Sequence, residues 1–480
     1  MSEKRLADLE PKVVFGYFEE ICSIPHGSRN TKAISDYLAA FAKEQGIRCI
    51  QDASNNIIMF TEGTCGMENH PPVILQGHMD MVCEKDASCP IDMQKEGLDV
   101  CHDGTSVYAR GTTLGGDDGI AVAYVMALIA DRSIPHPPLE IIITVDEEIG
   151  MLGANAIDVS MLQGRKMINL DSEEEGIFTV SCAGGARATI SLKVNRKMVY
   201  GPCIRLSVDG LQGGHSGADI HRNRANANKV MGEFMSRIQK LMPLCLTSYS
   251  GGTQDNAIPR VCQANVVAMG IGLERINDIA AQLQAEVREQ YNEPDATVQA
   301  FDVDALGGNS LTTEDTARVI SLLCAAPNGV QSYSADIPGL VQTSLNLGIA
   351  KLGELFTATF SVRSSVNKEK QDLLDQLKKF SEFHDGAYSQ QGEYPAWEYR
   401  KDSPLRDTMV KIYTEMFGKE PQVLAIHAGL ECGLLNQKLP GLDAVSIGPQ
   451  MHDIHTSREK LEIASTARTW DFLCRVLKSL

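Results

Sequence analysis

No stretch of this 480-residue sequence reaches the roughly 18 consecutive apolar residues that a membrane-spanning helix needs. Positive charge is also scarce. Lys and Arg total 44 against 62 Asp and Glu, a net charge of −18. That balance argues against nucleic-acid phosphates as a partner and against anchoring to anionic lipid. The acidic residues are spread along the chain and read as a solvated surface. The first twenty residues carry charges throughout and have no apolar core of secretory type. The CxxC spacing is missing as well. The 13 cysteines are odd in number and scattered, which points to a reduced, cytoplasmic chain rather than a disulfide framework. Cys182 and Cys432 have no convincing histidine partner in sequence and read as packing residues.

An apolar fraction of 43% is ordinary for a soluble globular protein, and the length allows two to four domains. The first 180 residues alternate helix and strand. Helical spacing covers 11–24 and 30–45, interrupted at Ile24-Pro25-His26-Gly27. Pro72–Gln76, Leu139–Val145 and Met167–Leu170 are short, largely apolar strand patterns, and Ile120–Ala130 is a helix apolar on nearly every face. Apolar strands between helices predict an α/β domain whose mostly parallel central sheet is covered on both faces. After Gly184-Gly185 the pattern changes. Residues 186–194, 203–209, 260–270 and 355–363 alternate as half-exposed strands do, and 224–241 and 273–291 are amphipathic helices. This predicts a discontinuous first domain, 1–183 with 392–480, and an inserted α+β domain over 184–391. A weak internal repeat relates Val208–Ser216 to Val303–Ser310, each followed by a helix pattern. A further strand is expected at Ala444–Ile447.

Five pieces of the chain offer hard metal ligands on short polar or glycine-flanked stretches: His78-Met79-Asp80, Gly116–Gly119, Glu147-Glu148, Asp171 and His455. Two imidazoles and several carboxylates suit two divalent metals held close together, and so a metal-assisted hydrolase. His78 and Asp80 lie two apart after an apolar run, so both point to one side, with Asp80 able to fix the His78 tautomer. Asp117 and Asp118 precede a helix, where capping is one reading and a carboxylate shared by two metals the other. Asp146-Glu147-Glu148 follows a buried strand, and three adjacent carboxylates call for a cation. There, one Glu can ligate while the other takes a proton. Asp171 comes first after its strand, and Glu173–Glu175 read as an exposed loop. Ser446-Ile447-Gly448-Pro449 leads to His452 and His455, either of which can be a ligand. All five pieces are expected to follow strands of one parallel sheet, at the C-terminal edge where such folds place their sites.

These residues resemble the aminoacyl-histidine dipeptidases (Xaa-His dipeptidases, peptidase D), a family of co-catalytic zinc peptidases. The resemblance covers nearly the whole chain. It runs through Cys22–His26, Gln76–Met81, Arg110–Gly115, Asp171–Gly176, Cys182–Gly185, Gly213–Gly217, Asn256–Arg260 and His427–Gly433. It implies a zinc-peptidase catalytic domain with an inserted lid, and it assigns roles. His78 and Asp171 would hold one zinc, Glu148 and His455 the other, and Asp117 would bridge. His455 is preferred to His452 for its spacing from Ser446–Pro449. Asp80 would orient His78, and Glu147 would be the general base for a water shared by the metals. His215 would stabilise the oxyanion. Asn256 and Arg363 would grip the substrate, and His427 and Glu431 would read its free amine. Asp118 departs from close relatives, which often carry Asn there.

The implied activity is metal-dependent hydrolysis of unblocked dipeptides, Xaa-His and β-alanyl-histidine included. The implied cofactors are two divalent ions, zinc with cobalt or manganese as alternatives. The implied partners are a small dipeptide and a second copy in a homodimer, with no nucleic acid and no membrane. Rival readings are a sister deacylase, carboxypeptidase or tripeptidase with the same metal site, and a metal-binding protein without catalysis. The presence of Glu147, Asp80 and His215, which binding alone does not need, weighs against the last.

Overall fold

The computed structural model describes residues 6, 8–268, 270, 272–305 and 307–480. They form two compact units, residues 1–181 with 399–425 and 430–480, and residues 182–398 with 426–429. The division therefore lies at 398/399 rather than 391/392, and a four-residue piece of the tail belongs to the second unit. Hydrogen bonds between distant segments account for both differences. Cys182 and Trp397 exchange backbone bonds of 3.1 and 3.2 Å, and the Ala183 N–H reaches Ile426 O and Ala428 O at 3.2 and 3.0 Å. No local pattern signals such pairings.

In the first unit the sheet runs Arg48–Gln51, Ile57–Thr61, Leu139–Thr144, Val73–His78, Lys166–Asn169, Asp443–Ser446, Ile177–Cys182, Gln422–Ile426. Its four middle strands, from Leu139–Thr144 to Asp443–Ser446, are parallel. The Arg48–Gln51 and Ile57–Thr61 strands join antiparallel, as does Ile177–Cys182. Every residue of Val73–His78 and Leu139–Thr144 is buried, because parallel strands are covered on both faces. Helix Gly116–Ala130 is buried from Gly116 to Ile129, as its all-round apolar sequence predicts.

One expectation is corrected here. Only His78, Glu147-Glu148 and Asp171 follow strands of the central sheet. Asp117 and His455 instead follow Ser106–Ala109 and Met451–His452, which lie in a separate four-stranded sheet with Val100–His102 and Lys460–Glu462. Both preceding strands are short (4 and 2 residues), too short to betray their sheet by periodicity.

The second unit is built on an antiparallel sheet ordered Thr297–Val303, Cys203–Asp209, Cys262–Ala268, Leu244–Gly251, Val341–Leu352, Leu355–Ser364, Gly184–Lys193, Gly386–Tyr394. Helices Ala227–Gln239, Leu273–Tyr291, Thr313–Ala325 and Asn367–Phe383 bury one face each. The two arms of the weak repeat end neighbouring antiparallel strands, with Val208 opposite Val298 and Cys203 opposite Val303. Helices Ala227–Gln239 and Thr313–Ala325 follow them. Leu306 of that repeat, and Met269 of the strand expected at 260–270, lie outside the described residues. Cys182 and Cys432 are both buried, as packing residues are. Among the described residues no helix is long and apolar enough to cross a membrane.

Candidate metal centre and substrate residues

The strand Val73–His78 delivers His78 to the end of the central sheet, where it is 1% exposed. Its Nδ1 lies 2.9 Å from the Asp80 backbone oxygen. A carbonyl only accepts, so Nδ1 carries the hydrogen, and Nε2 faces Asp117 Oδ1 at 3.1 Å and Asp171 Oδ1 at 3.6 Å. The orienting group is thus chiefly the Asp80 carbonyl, with the carboxylate farther off at 3.5 Å. The Asp80 carboxylate mainly serves other donors. It accepts from Ser28 Oγ at 2.8 Å and from the Glu147 N–H at 3.0 Å. Asp80 therefore fixes the backbone of Glu147 as well as the ring of His78.

Asp117 has one oxygen on each imidazole. Oδ1 lies 3.1 Å from His78 Nε2 and Oδ2 lies 3.2 Å from His455 Nε2. His455 Nε2 is also 3.0 Å from Glu148 Oε1. Two donors bound tetrahedrally to one ion at about 2.0–2.1 Å lie about 3.4 Å apart, so these spacings match pairs of ligands to a shared cation. Two groups of side chains converge closely enough to hold an ion: His78 with Asp117 and Glu148, and His78 with Asp118 and Asp171. Asp118, not among the ligands expected, enters because Gly77 leaves room for it. A Cβ there would meet Asp118 Oδ2 at 2.5 Å, and that oxygen accepts the His78 N–H at 3.2 Å. Backbone turns aim the remaining groups: Asp146 (φ 55°) and His455 (φ 60°) both adopt left-handed conformations.

The electrostatics are those of an acidic cluster. Burial pushes Glu147 well above the carboxylate range, and burial followed by the Asp171 charge does the same to Asp118. Asp171 is pushed up to about 6, first by burial. Burial opposes protonation of His78, but the charge of Asp171 and bonds to Asp117, Asp171 and Asp80 outweigh it and raise its pKa. Bonds to Asp117 and Glu148 push His455 up to about 10. Six carboxylates (Asp80, Asp117, Asp118, Glu147, Glu148 and Asp171) around two imidazoles leave excess negative charge in a desolvated place, and the mixed nitrogen and oxygen donor set fits a divalent ion such as zinc.

Other expected residues fall elsewhere. Glu431 is fully buried rather than open to a substrate amine. Its Oε2 accepts from Gln76 Nε2 at 2.6 Å and Thr144 Oγ1 at 2.5 Å, and burial pushes its pKa up to about 8. It supports the strand ends from within, which no sequence pattern at Glu431 reveals. His452 is exposed and pairs with Glu462 at 2.8 Å. Within the supposed exposed loop, Glu175 forms a two-pronged pair with Arg468, both bonds 2.6 Å.

His427, expected beside Glu431, belongs to the second unit. There its Nε2 is 2.7 Å from Ser344 Oγ, its buried Nδ1 has no partner, and burial followed by the Arg363 charge lowers its pKa to about 3. Arg363 is 8% exposed; its Nη1 donates to Tyr394 OH at 3.2 Å and its Nε is unpartnered. His215 Nδ1 accepts N–H groups from Gly217 and Ala218 at 3.2 and 3.0 Å, so its Nε2 bears the hydrogen. Burial, then Arg363, keeps that ring neutral. Asn256 is exposed on the loop before Ala257, whose strand pairs with His215.

Comparisons with known proteins bear on the family and the fold. The chain is 35% identical to the cytosol non-specific dipeptidase of Escherichia coli, over 100% of this chain and 99% of that protein. Its fold superposes on an aminoacylhistidine dipeptidase from Vibrio alginolyticus with a TM-score of 0.93 and 33% identity, covering 100% and 99% of the two chains. An aminopeptidase PepT from Bacillus cereus shares the fold at a TM-score of 0.56 and 15% identity, covering 98% of each chain. The model of peptidase family M20/M25/M40 matches residues 74–479. The span from the His78 strand to the final helix is matched throughout, and the chain belongs to peptidase family M20/M25/M40.

Proposed function

We propose that this chain is a metal-dependent dipeptidase that hydrolyses unblocked dipeptides, Xaa-His dipeptides among them. The observation that carries the reading is Asp117, with one carboxylate oxygen on each of two imidazoles at 3.1 and 3.2 Å, together with a half-buried Glu147 whose proton affinity desolvation raises. The names of its relatives support the substrate class: a non-specific dipeptidase in E. coli and an aminoacylhistidine dipeptidase in V. alginolyticus.

His78 and Asp171 would hold one ion and Glu148 and His455 the other, with Asp117 shared; zinc is the best fit to these donors. When bound, such ions acidify a water and polarise the scissile carbonyl. Glu147 accepts the proton of the attacking water and returns it to the leaving amine, a role suited to a carboxylate whose pKa burial has raised. Asp80 holds the Glu147 backbone in place for this transfer. His215, neutral and with hydrogen on Nε2, donates to the oxygen that gains charge. Arg363, with an unpartnered Nε–H, takes the substrate carboxylate, and Asn256 stands by as a further polar contact. The protein is proposed to work in the cytoplasm as a homodimer, with neither nucleic acid nor membrane as a partner.

The test is hydrolysis of β-alanyl-histidine, other Xaa-His dipeptides, a tripeptide and an N-acetyl amino acid, with and without chelator and added zinc. Metal-dependent cleavage confined to unblocked dipeptides supports the reading. Cleavage of only the tripeptide or the acylated compound moves the function to a sister peptidase or deacylase. Mixing His215→Ala with Glu147→Ala protein tests the dimer: recovered activity means His215 acts across subunits.

A further inference from the structure

Glu459 has no part in the reaction as proposed, yet its carboxylate is buried (3% exposed) and accepts from four successive backbone N–H groups. Oε2 takes Leu114 and Gly115 at 2.7 and 3.1 Å; Oε1 takes Gly116 and Asp117 at 2.8 and 3.4 Å. These amides lead into helix Gly116–Ala130, whose first donors have no partner within the helix. A charged acceptor there makes strong bonds, and this one arrives from 342 residues away along the chain.

Its position in the sequence matters more than its charge. Glu459 lies four residues after His455, at the end of a turn closed by a bond from the Glu459 N–H to Thr456 O at 3.1 Å. The next strand, Lys460–Glu462, pairs with Ser106–Ala109, with Leu461 opposite Val107. The Asp117 loop leaves the second of these strands, and the His455 turn leads into the first. Glu459 therefore bonds across the gap between the segment that carries His455 and the segment that carries Asp117. Gly116 permits the approach, since a Cβ there would lie 3.2 Å from Glu459 Oε1. Cys22 Sγ holds the other side of the loop through Leu114 O at 3.8 Å.

We infer that Glu459 is a positioning residue that sets the Asp117 carboxylate against the His455 ring, and so builds the ion position those two share with Glu148. The inference rests on the metal-centre reading above. Losing a residue that orients ligands costs roughly ten- to a hundredfold in metal affinity. In Glu459→Gln the shape is kept, but the amide NH2 faces N–H donors and cannot accept from them.

The experiment is titration of chelator-treated, full-length protein with cobalt(II), followed by visible absorption, and with zinc against a competing chelator. Wild-type protein should take two ions. Glu459→Gln should keep one near its wild-type affinity and lose tenfold or more at the other. Once loaded at high metal, it should recover KM but not all of kcat. Glu459→Asp, which keeps the charge, should recover part of the loss, and it serves as the test variant if the Gln form does not fold. Gly116→Ala should weaken the same ion while leaving every ligand in place. Two ions bound within twofold of wild type in both Glu459 variants would overturn the inference while leaving the metal centre standing. Wild-type protein that takes up no ion would overturn the metal centre, and the inference with it.

Discussion

Histidines in the two units of this chain are driven in opposite directions. In the first unit His78 and His455 are surrounded by carboxylates and their pKa values rise, His455 to about 10. In the second, His215 and His427 share their surroundings with Arg363 and their pKa values fall, His427 to about 3. Burial opposes charge on a ring in both places; the neighbours decide which way the balance goes. The first cluster is a seat for cations. The second presents neutral rings and one guanidinium, an arrangement for an anionic or polar ligand. Residue type alone does not distinguish the two.

The largest expected effect attacks the acidic cluster without emptying it. Glu147→Gln should lower kcat by about 10²–10⁴, the usual worth of a general base, while metal content measured by elemental analysis stays at the wild-type level. A variant with near-normal turnover would remove Glu147 from the mechanism.

A smaller effect is expected in the second unit. Arg363→Met should raise KM by roughly ten- to a hundredfold, the cost of a charged hydrogen bond of about 1.5–3 kcal/mol. The same variant sharpens the comparison, because the His427 and His215 pKa values should both rise once the neighbouring charge is gone. NMR titration of the ring protons reads this directly, and unchanged values would mean that burial alone sets them.

The His427 shift also makes a stability prediction. Its folded pKa of about 3 lies below the ordinary value of 6.5, so on acidification the unfolded chain binds the proton first. Above pH 6.5 the ring is neutral in both states and costs nothing. As pH falls from 6.5 toward 3, stability is lost, on the order of 2 kcal/mol by pH 5. Thermal unfolding from pH 8 to 5 should therefore show a shallower decline in His427→Gln than in the wild type. Parallel declines would contradict the buried neutral ring. The smallest effect is expected at His452, which is 49% exposed and paired with Glu462. His452→Ala should change kcat/KM less than twofold and stability by no more than about 0.5 kcal/mol.

How much of this could be read in advance depended on distance along the chain. His78, Glu147-Glu148 and Asp171 stood out because each follows a largely apolar strand, and a polar group at the end of a buried parallel strand has few places to go. Asp117 was singled out by its glycines and its helix, although the strand before it belongs to a different sheet. His455 could not be separated from His452 by residue pattern, because both lie on one short irregular stretch; the family resemblance made the choice. Glu459 gave no signal, and Glu431 was marked only by the family resemblance, for a substrate contact rather than the internal support it provides. Each is buried by partners hundreds of positions away.

Local chemistry thus determined the α/β class, the parallel core strands and the inventory of carboxylates and imidazoles, because hydrophobic periodicity and polar strand ends act over a few residues. Tertiary structure decided which of those groups meet. The Asp117 oxygens acquire their two imidazoles only when chain segments 39 and 338 residues away arrive. The sign of each histidine's shift likewise depends on which charges the fold packs beside it, since coulombic and desolvation effects act through space and not along the chain.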